Sequence, residues 1–131
     1  MALGKSKVLD ITKKERPVLS QVTALKMLKI LRKTVTKGTG INGYMDGVYT
    51  AGKTGTAHVA KEGKYEDIYH STFLGFANEI DGERRYTIGI LVTNPKTDYF
   101  ASKTAVLVFK ACVEKLVDRG WLAVKEEPKA L

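Results

Sequence analysis

The chain has 131 residues, of which 44% are apolar and 27% charged, with 12 glycines, 3 prolines and one cysteine. That length fits one domain around one core, and the composition excludes disordered, collagen-like and disulfide-stapled classes. The 22 basic and 14 acidic side chains give a net charge of +8, which suits an anionic partner; the charges are dispersed, however, and no basic and aromatic interleaving of the base-stacking kind appears, so the reading is solvated surface and no nucleic acid.

Residues 1–16 read as a lead-in, with Met1 to Gly4 as a remnant of expression, and Met1 to Lys7 lack the apolar stretch of a signal peptide. Ser20 or Thr23 then caps a helix whose stripe Leu25, Leu28, Leu31 and Val35 opposes Lys26, Lys29 and Lys33, with Gly38 as its C′ residue. Gly47 to Val59, rich in Val, Tyr and Thr, predicts a strand, followed by a polar loop over Lys61 to Asp67. Tyr69 to Ile80 and Arg84 to Thr93 are β-rich runs joined by Asp81-Gly82, a strong hairpin signal. The second is nearly all apolar toward its end, which predicts a central strand covered on both faces.

Asn94-Pro95 stops that strand, and Tyr99 to Arg119 predicts a helix burying Ala105, Phe109, Cys112, Val113 and Leu116, closed by Gly120. Its uninterrupted apolar run, Ala105 to Phe109, is far short of the roughly 20 residues that span a bilayer. Cys112 is expected to be a core thiol, and Trp121 to anchor a tail, 122–131, that frays from Lys125. The body of the domain is then 17–121, an α+β fold in which an antiparallel sheet packs with N- and C-terminal helices.

Gly47 to Thr54 matches the phosphate-cradling pattern G-x-x-x-x-G-K-[ST] letter for letter. Such a loop follows a buried strand and opens a helix. Here a polar, glycine-broken turn precedes it and strand-forming Gly55-Thr56-Ala57-His58-Val59 follows, so nucleotide binding is the weaker alternative. Taken as a strand, the same region contains Lys53-Thr54-Gly55-Thr56, the K-T-G motif of acyl-transferring serine enzymes. Thr54 and Thr56 offer hydroxyls to a carboxylate, Lys53 a positive charge, and Gly55 a bare backbone for a peptide to approach as an added strand. Strict alternation puts Lys53 and Gly55 on one face and Thr54 and Thr56 on the other, so all reach one cleft only on a twisted edge strand. A solvated β edge is the plain alternative.

The surroundings of that motif carry a resemblance. Lys37-Gly38-Thr39-Gly40, Gly52 to Ala57, Thr72-Phe73-Leu74-Gly75-Phe76-Ala77, a strand ending Asn94-Pro95-Lys96, and Tyr99-Phe100 leading into a helix occur in this order. Over about Pro17 to Arg119 the chain resembles the C-terminal part of the transpeptidase domain of class B penicillin-binding proteins, with a lean toward the cell-division type. It departs from the family at His58, often Gln, at Asn78, near which Pro is usual, at Ala101-Ser102, often Gly-Gly, and at Leu107, often Pro.

The resemblance implies a serine β-lactamase-like fold and a peptidoglycan D,D-transpeptidase anchored in the bacterial inner membrane with a periplasmic catalytic domain. It implies D-Ala-D-Ala stem peptides, β-lactams and a cell-wall synthesis or division complex as partners, and no metal or cofactor. Lys53 would serve catalysis near the nucleophile, Thr54, Gly55 and Thr56 would bind substrate, and the Thr56 N–H would complete an oxyanion hole, a contact worth roughly 3 to 4 kcal/mol in other acyl-transfer enzymes.

The nucleophile itself is missing. Ser6, Ser20, Ser71 and Ser102 have Leu9, Thr23, Leu74 and Ala105 three residues on, and Val8, Val22, Phe73 and Thr104 two residues on. No S-x-x-K and no S-x-N exists, so the chain reads as an inactive piece holding one wall of an active site, with an exposed sheet edge open to a second copy. A non-enzymatic basic binding module is the other alternative. His58 and His70 read as ordinary strand histidines, not a metal pair.

Overall fold

The computed structural model describes residues 16–61 and 63–126, so the lead-in before Arg16 and the tail beyond Glu126 lie outside the described residues. Helix α1 (Gln21–Lys37) is followed by a 3-10 turn at Ile41–Gly43, strands β1 (Val48–Lys61), β2 (Lys64–Glu79) and β3 (Arg85–Thr93), a second 3-10 turn at Ala101–Lys103, and helix α2 (Ala105–Asp118). The strands form an antiparallel sheet in the order β1-β2-β3. This is the α+β arrangement the sequence predicts.

Ser20 is the cap of α1, its hydroxyl accepting the Thr23 N–H at 3.2 Å. The stripe of α1 is buried only toward its end: Leu25 is exposed, Leu28 and Leu31 are half-buried, and Val35 is fully enclosed. Gly38 closes the helix in an extended conformation, not the left-handed one expected of a C′ glycine, and a Cβ there would press on the Thr34 carbonyl. The expected geometry occurs at the end of α2. Gly120 has φ +67°, its N–H donates to the Val117 carbonyl and that of Trp121 to Leu116, so two otherwise orphaned carbonyls are satisfied.

One face of the sheet packs on α2. Phe73, Ala77, Ala105, Val106, Phe109 and Val113 are buried there with Val35 and Val48, and the Phe73 and Phe109 rings meet at 4.7 Å. Gly52 and Gly75 face each other across β1 and β2, and a Cβ on either would strike the Phe73 ring. The glycines therefore let the ring lie flat against the backbone.

Three sequence expectations are corrected in the sheet and α2. Lys61 and residues 64–67 are strand and not loop, because β1 runs to Lys61 and β2 starts at Lys64, with Gly63 before it at φ +76°. The hairpin signalled by Asp81-Gly82 is present and joins β2 to β3 antiparallel through Ile80 to Arg84; the missing Cβ of Gly82 makes room for the Glu79 carboxylate, which folds into the turn to accept the Arg84 N–H. β3 is not central, since among the described residues it pairs only with β2, and its burial alternates so that Leu91 is 62% exposed. The helix expected from Tyr99 begins at Ala105, because Asp98 and Thr104 tie the Phe100 backbone into a separate turn.

Two anchors also differ. Val106 takes the enclosed position on α2, while Cys112 is only half-buried. Leu122, 1% exposed, anchors the tail where Trp121 was expected; Trp121 is 55% exposed and offers its carbonyl to the Tyr86 hydroxyl at 3.0 Å. The tail does not fray at Lys125, whose N–H donates to the Gly47 carbonyl and whose ammonium pairs with Asp81.

Candidate functional site

Among the described residues β1 is an edge strand, and α1 covers only the first part of that edge. Arg32 reaches from α1 to donate to the Thr50 carbonyl at 2.6 Å and its hydroxyl at 3.0 Å, and its guanidinium sits 4.9 Å from the ring centres of both Tyr44 and Tyr49. A planar cation between two rings fixes helix to strand through both charge and contact. From Lys53 to Ala60 the side chains of β1 are exposed or half-buried. The stretch Lys53 to Thr56 thus begins where the clamp ends.

The strand is continuous from Val48 to Lys61, so the nucleotide-binding pattern lies stretched along it and opens no helix. The backbone amides that would surround a phosphate are committed to extended geometry.

Thr54 and Thr56 open into a cavity of about 100 Å³ whose other walls are Thr39, Phe100, Ala101 and Ser102. Thr39, from the loop after α1, shares a hydrogen bond with Thr54, hydroxyl to hydroxyl at 2.7 Å. The volume is that of about three liquid waters. Hydroxyl-bearing residues of the strand and two loops line the cavity together with Phe100.

The opposite wall is held by polar contacts. Asp98 accepts the Phe100 N–H at 2.9 Å and pairs with Lys103 at 3.0 Å, and these two contacts, the N–H foremost, hold its carboxyl below the usual range. The Thr104 hydroxyl donates to the Phe100 carbonyl at 2.9 Å and bonds Ser71 at 2.5 Å. Asn42 donates to the Ser102 carbonyl at 3.0 Å.

Lys53 and Gly55 belong to the other face. The Lys53 ammonium donates to the Thr54 carbonyl at 2.7 Å and is exposed, and a Cβ on Gly55 would meet the Thr72 hydroxyl. Of the expected site residues, the structure therefore brings Thr54 and Thr56 into one cavity and leaves Lys53 and Gly55 outside it. Thr39, Phe100, Ala101 and Ser102 were not singled out as site residues from sequence; the only signal was that Thr39 and Phe100 sit in landmarks of the resemblance and Ala101-Ser102 at one of its departures. Of the four serines, Ser6 lies outside the described residues, Ser20 caps α1, Ser71 is buried against Thr104, and Ser102 lines the cavity. The His58 ring stacks on Tyr69, and among the described residues no three His, Cys, Asp or Glu side chains cluster as metal ligands.

Residues 5–114 match the family model described as the penicillin binding protein transpeptidase domain. Stage V sporulation protein D of Bacillus subtilis is 38% identical over 63% of this chain and 12% of its own length. Penicillin-binding protein PbpB of Mycolicibacterium smegmatis is 31% identical over 90% of this chain and 20% of its own. The crystal structure of penicillin binding protein 3 from Mycobacterium tuberculosis, complexed with ampicillin, superposes with a TM-score of 0.67 at 30% identity, covering 86% of this chain and 27% of that one. The transpeptidase domain of penicillin-binding protein 3 from Burkholderia pseudomallei gives a TM-score of 0.67 at 25% identity, over 82% and 32%. The chain thus spans an eighth to a fifth of these curated relatives.

Proposed function

The chain belongs to the penicillin-binding protein transpeptidase family, and from that premise we propose that it forms the carboxylate-binding wall of a peptidoglycan D,D-transpeptidase site completed by further residues of a longer polypeptide. The observation that carries this reading is the convergence of the Thr39, Thr54 and Thr56 hydroxyls on one small cavity at the uncovered part of an edge strand. A stem peptide ending in D-Ala-D-Ala lies along that edge as an added strand, its terminal carboxylate accepting from Thr54 and Thr56. Lys53 contributes positive charge from the same strand. β-Lactams present the same carboxylate to the same hydroxyls.

In this reading a serine outside the chain attacks the carbonyl carbon of the penultimate D-alanine. Its Oγ–C bond forms, the amide C–N bond breaks, and the hydroxyl proton passes through a neighbouring base to the departing D-alanine amine. The developing oxyanion accepts from the Thr56 N–H and from the N–H of the nucleophile. An amine of a second stem peptide then attacks the ester, forming the cross-link and returning the proton to serine. No cofactor enters the balance. By the same family reading the whole protein is membrane-anchored with a periplasmic catalytic domain, works in a division or cell-wall complex, and continues its sheet at the edge of β3. A second copy of the 131-residue chain could pair at that edge instead. Among the described residues no helix is long and apolar enough to cross a membrane.

The test is labelling with fluorescent penicillin. The polypeptide from the uninterrupted reading frame that contains this chain should be acylated at one serine outside it, and Thr54→Val with Thr56→Val should slow acylation by about 100-fold, the order seen when an oriented polar contact is lost. A label on Ser102, or acylation indifferent to both threonines, overturns the reading.

A further inference from the structure

Phe100 belongs to a row of rings that begins outside the motif. The His58 ring of β1 lies on that of Tyr69 in β2, centroids 4.3 Å apart and 5° from parallel. Tyr69 carries Tyr99 at 4.4 Å and 21°, and Tyr99 carries Phe100 at 4.4 Å and 35°. His58 and Tyr69 are cross-strand partners, and the pairing of β1 with β2 slips immediately after them, between His58 and Ala60. Irregularities of that kind re-aim side chains beside functional sites.

The backbone and the ring of Phe100 are held by different means. Asp98 and Thr104 pin its N–H and its carbonyl, but neither fixes where the ring points. Phe100 and Tyr99 are both exposed, so core packing does not hold them, and the stacked neighbours are what give the rings a direction.

We propose that His58 is a positioning residue, the outer brace of the Tyr69, Tyr99 and Phe100 row, which keeps the Phe100 ring against the cavity that Thr54 and Thr56 open. This rests on the carboxylate-site reading above for its functional consequence and on the ring geometry alone for the brace. A flat ring at position 58 is the requirement. An aliphatic or small residue leaves the outer face of Tyr69 uncovered, and the disorder passes ring by ring to Phe100.

Two measurements separate the brace from the reading it serves. In the 131-residue chain, His58→Ala should abolish the ring-current shifts of the Tyr69, Tyr99 and Phe100 ring protons and move the Ala101 amide, with Thr50 and Phe109 unmoved; His58→Phe should restore them. Unchanged Phe100 and Ala101 signals in folded His58→Ala overturn the proposal. If His58→Ala does not fold, His58→Leu, which keeps bulk without a ring, takes its place with the same two outcomes. In the penicillin-labelled polypeptide, His58→Ala should slow acylation about tenfold at unchanged melting temperature, and His58→Phe should return it to within about twofold. Slowing that His58→Phe fails to rescue also counts against the brace. Should the Thr54 and Thr56 variants acylate normally, the carboxylate reading fails, and the ring shifts still decide the brace.

Discussion

Val48 to Gly52 and Lys53 to Lys61 are one continuous strand in two opposite surroundings. In the first stretch Val48, Thr50, Ala51 and Gly52 are buried, and Arg32 clamps the edge. In the second the side chains of Lys53 to Ala60 are exposed or half-buried, and Thr54 and Thr56 line a cavity. If the open stretch accepts a peptide, as proposed, it cannot also be covered, and its rigidity has to come from the neighbouring stretch of the same strand. The contrast teaches that the motif is held by residues outside it.

The sharpest way to break the contrast is Gly52→Ala. A Cβ there would stand 2.5 Å from the Phe73 ring and 2.7 Å from the Leu74 carbonyl, and the carbonyl belongs to the paired backbone. Overpacking of this kind costs about 3 kcal/mol, a fall in melting temperature of roughly 10 °C. Calorimetry checks it, and a fall within about 2 °C would show that Phe73 and β2 yield more easily than packed interiors do.

Arg32→Met comes next. It keeps an apolar stem but leaves the buried Thr50 hydroxyl without its partner and removes the cation from Tyr44 and Tyr49, a loss of about 2 kcal/mol. Hydrogen exchange should accelerate first at residues 48–52. Acceleration confined to residues 53–58 would mean that the clamp does not divide the strand.

Two carboxylates mark the two ends of the sheet. Glu79, 8% exposed and paired with Val48, accepts from the Ala123 N–H at 2.8 Å and the Arg84 N–H at 3.2 Å. Those bonds, Ala123 first, hold its carboxyl below the usual range; Asp98, before Phe100, is lowered by the Phe100 N–H and then Lys103. Because each folded pKa lies below the unfolded one, the stabilisation is complete above the ordinary carboxylate range and is lost as pH falls through the lowered value. Melting temperature should therefore drop on acidification below about pH 4.5. Glu79→Gln and Asp98→Asn should each flatten part of that drop, and an unchanged acid limb in both would refute the assignment.

The elements were legible where one face is apolar and the other polar, as in α2, or where β-formers run between glycines, as in β1. The strand β3 was legible but not its place, because Ile88, Ile90, Leu91 and Val92 report apolarity, not neighbours; among the described residues β3 pairs only with β2 and Leu91 is exposed. The hairpin at Asp81-Gly82 was legible in the same way, but not that its turn leaves room for the Glu79 carboxylate. In the site, Thr54 and Thr56 were visible because contiguous chemistry writes a motif. Thr39 and Phe100 to Ser102 were not, since they reach the cavity by tertiary packing, from the loops after α1 and before α2.

Gly55→Ala has the smallest expected effect and tests the contrast from its open side. A Cβ at Gly55 would crowd the Thr72 hydroxyl at 2.5 Å, but its next contact is at 3.9 Å. Thr72 can turn about its own side-chain bond, giving up only a 3.3 Å hydrogen bond to the Gly55 carbonyl, and the added methyl restricts the unfolded chain by about 0.4 to 1 kcal/mol in compensation. The melting temperature should stay within about 2 °C of the parent, and since the methyl lies on the face away from Thr54 and Thr56, the Phe100 ring signals should not move. A glycine three positions from Gly52 on the same strand then differs from it by roughly 3 kcal/mol for one reason, which is that a hydroxyl can rotate and a paired carbonyl cannot. Equal losses at the two positions would erase the distinction between the clamped and the open stretch of β1.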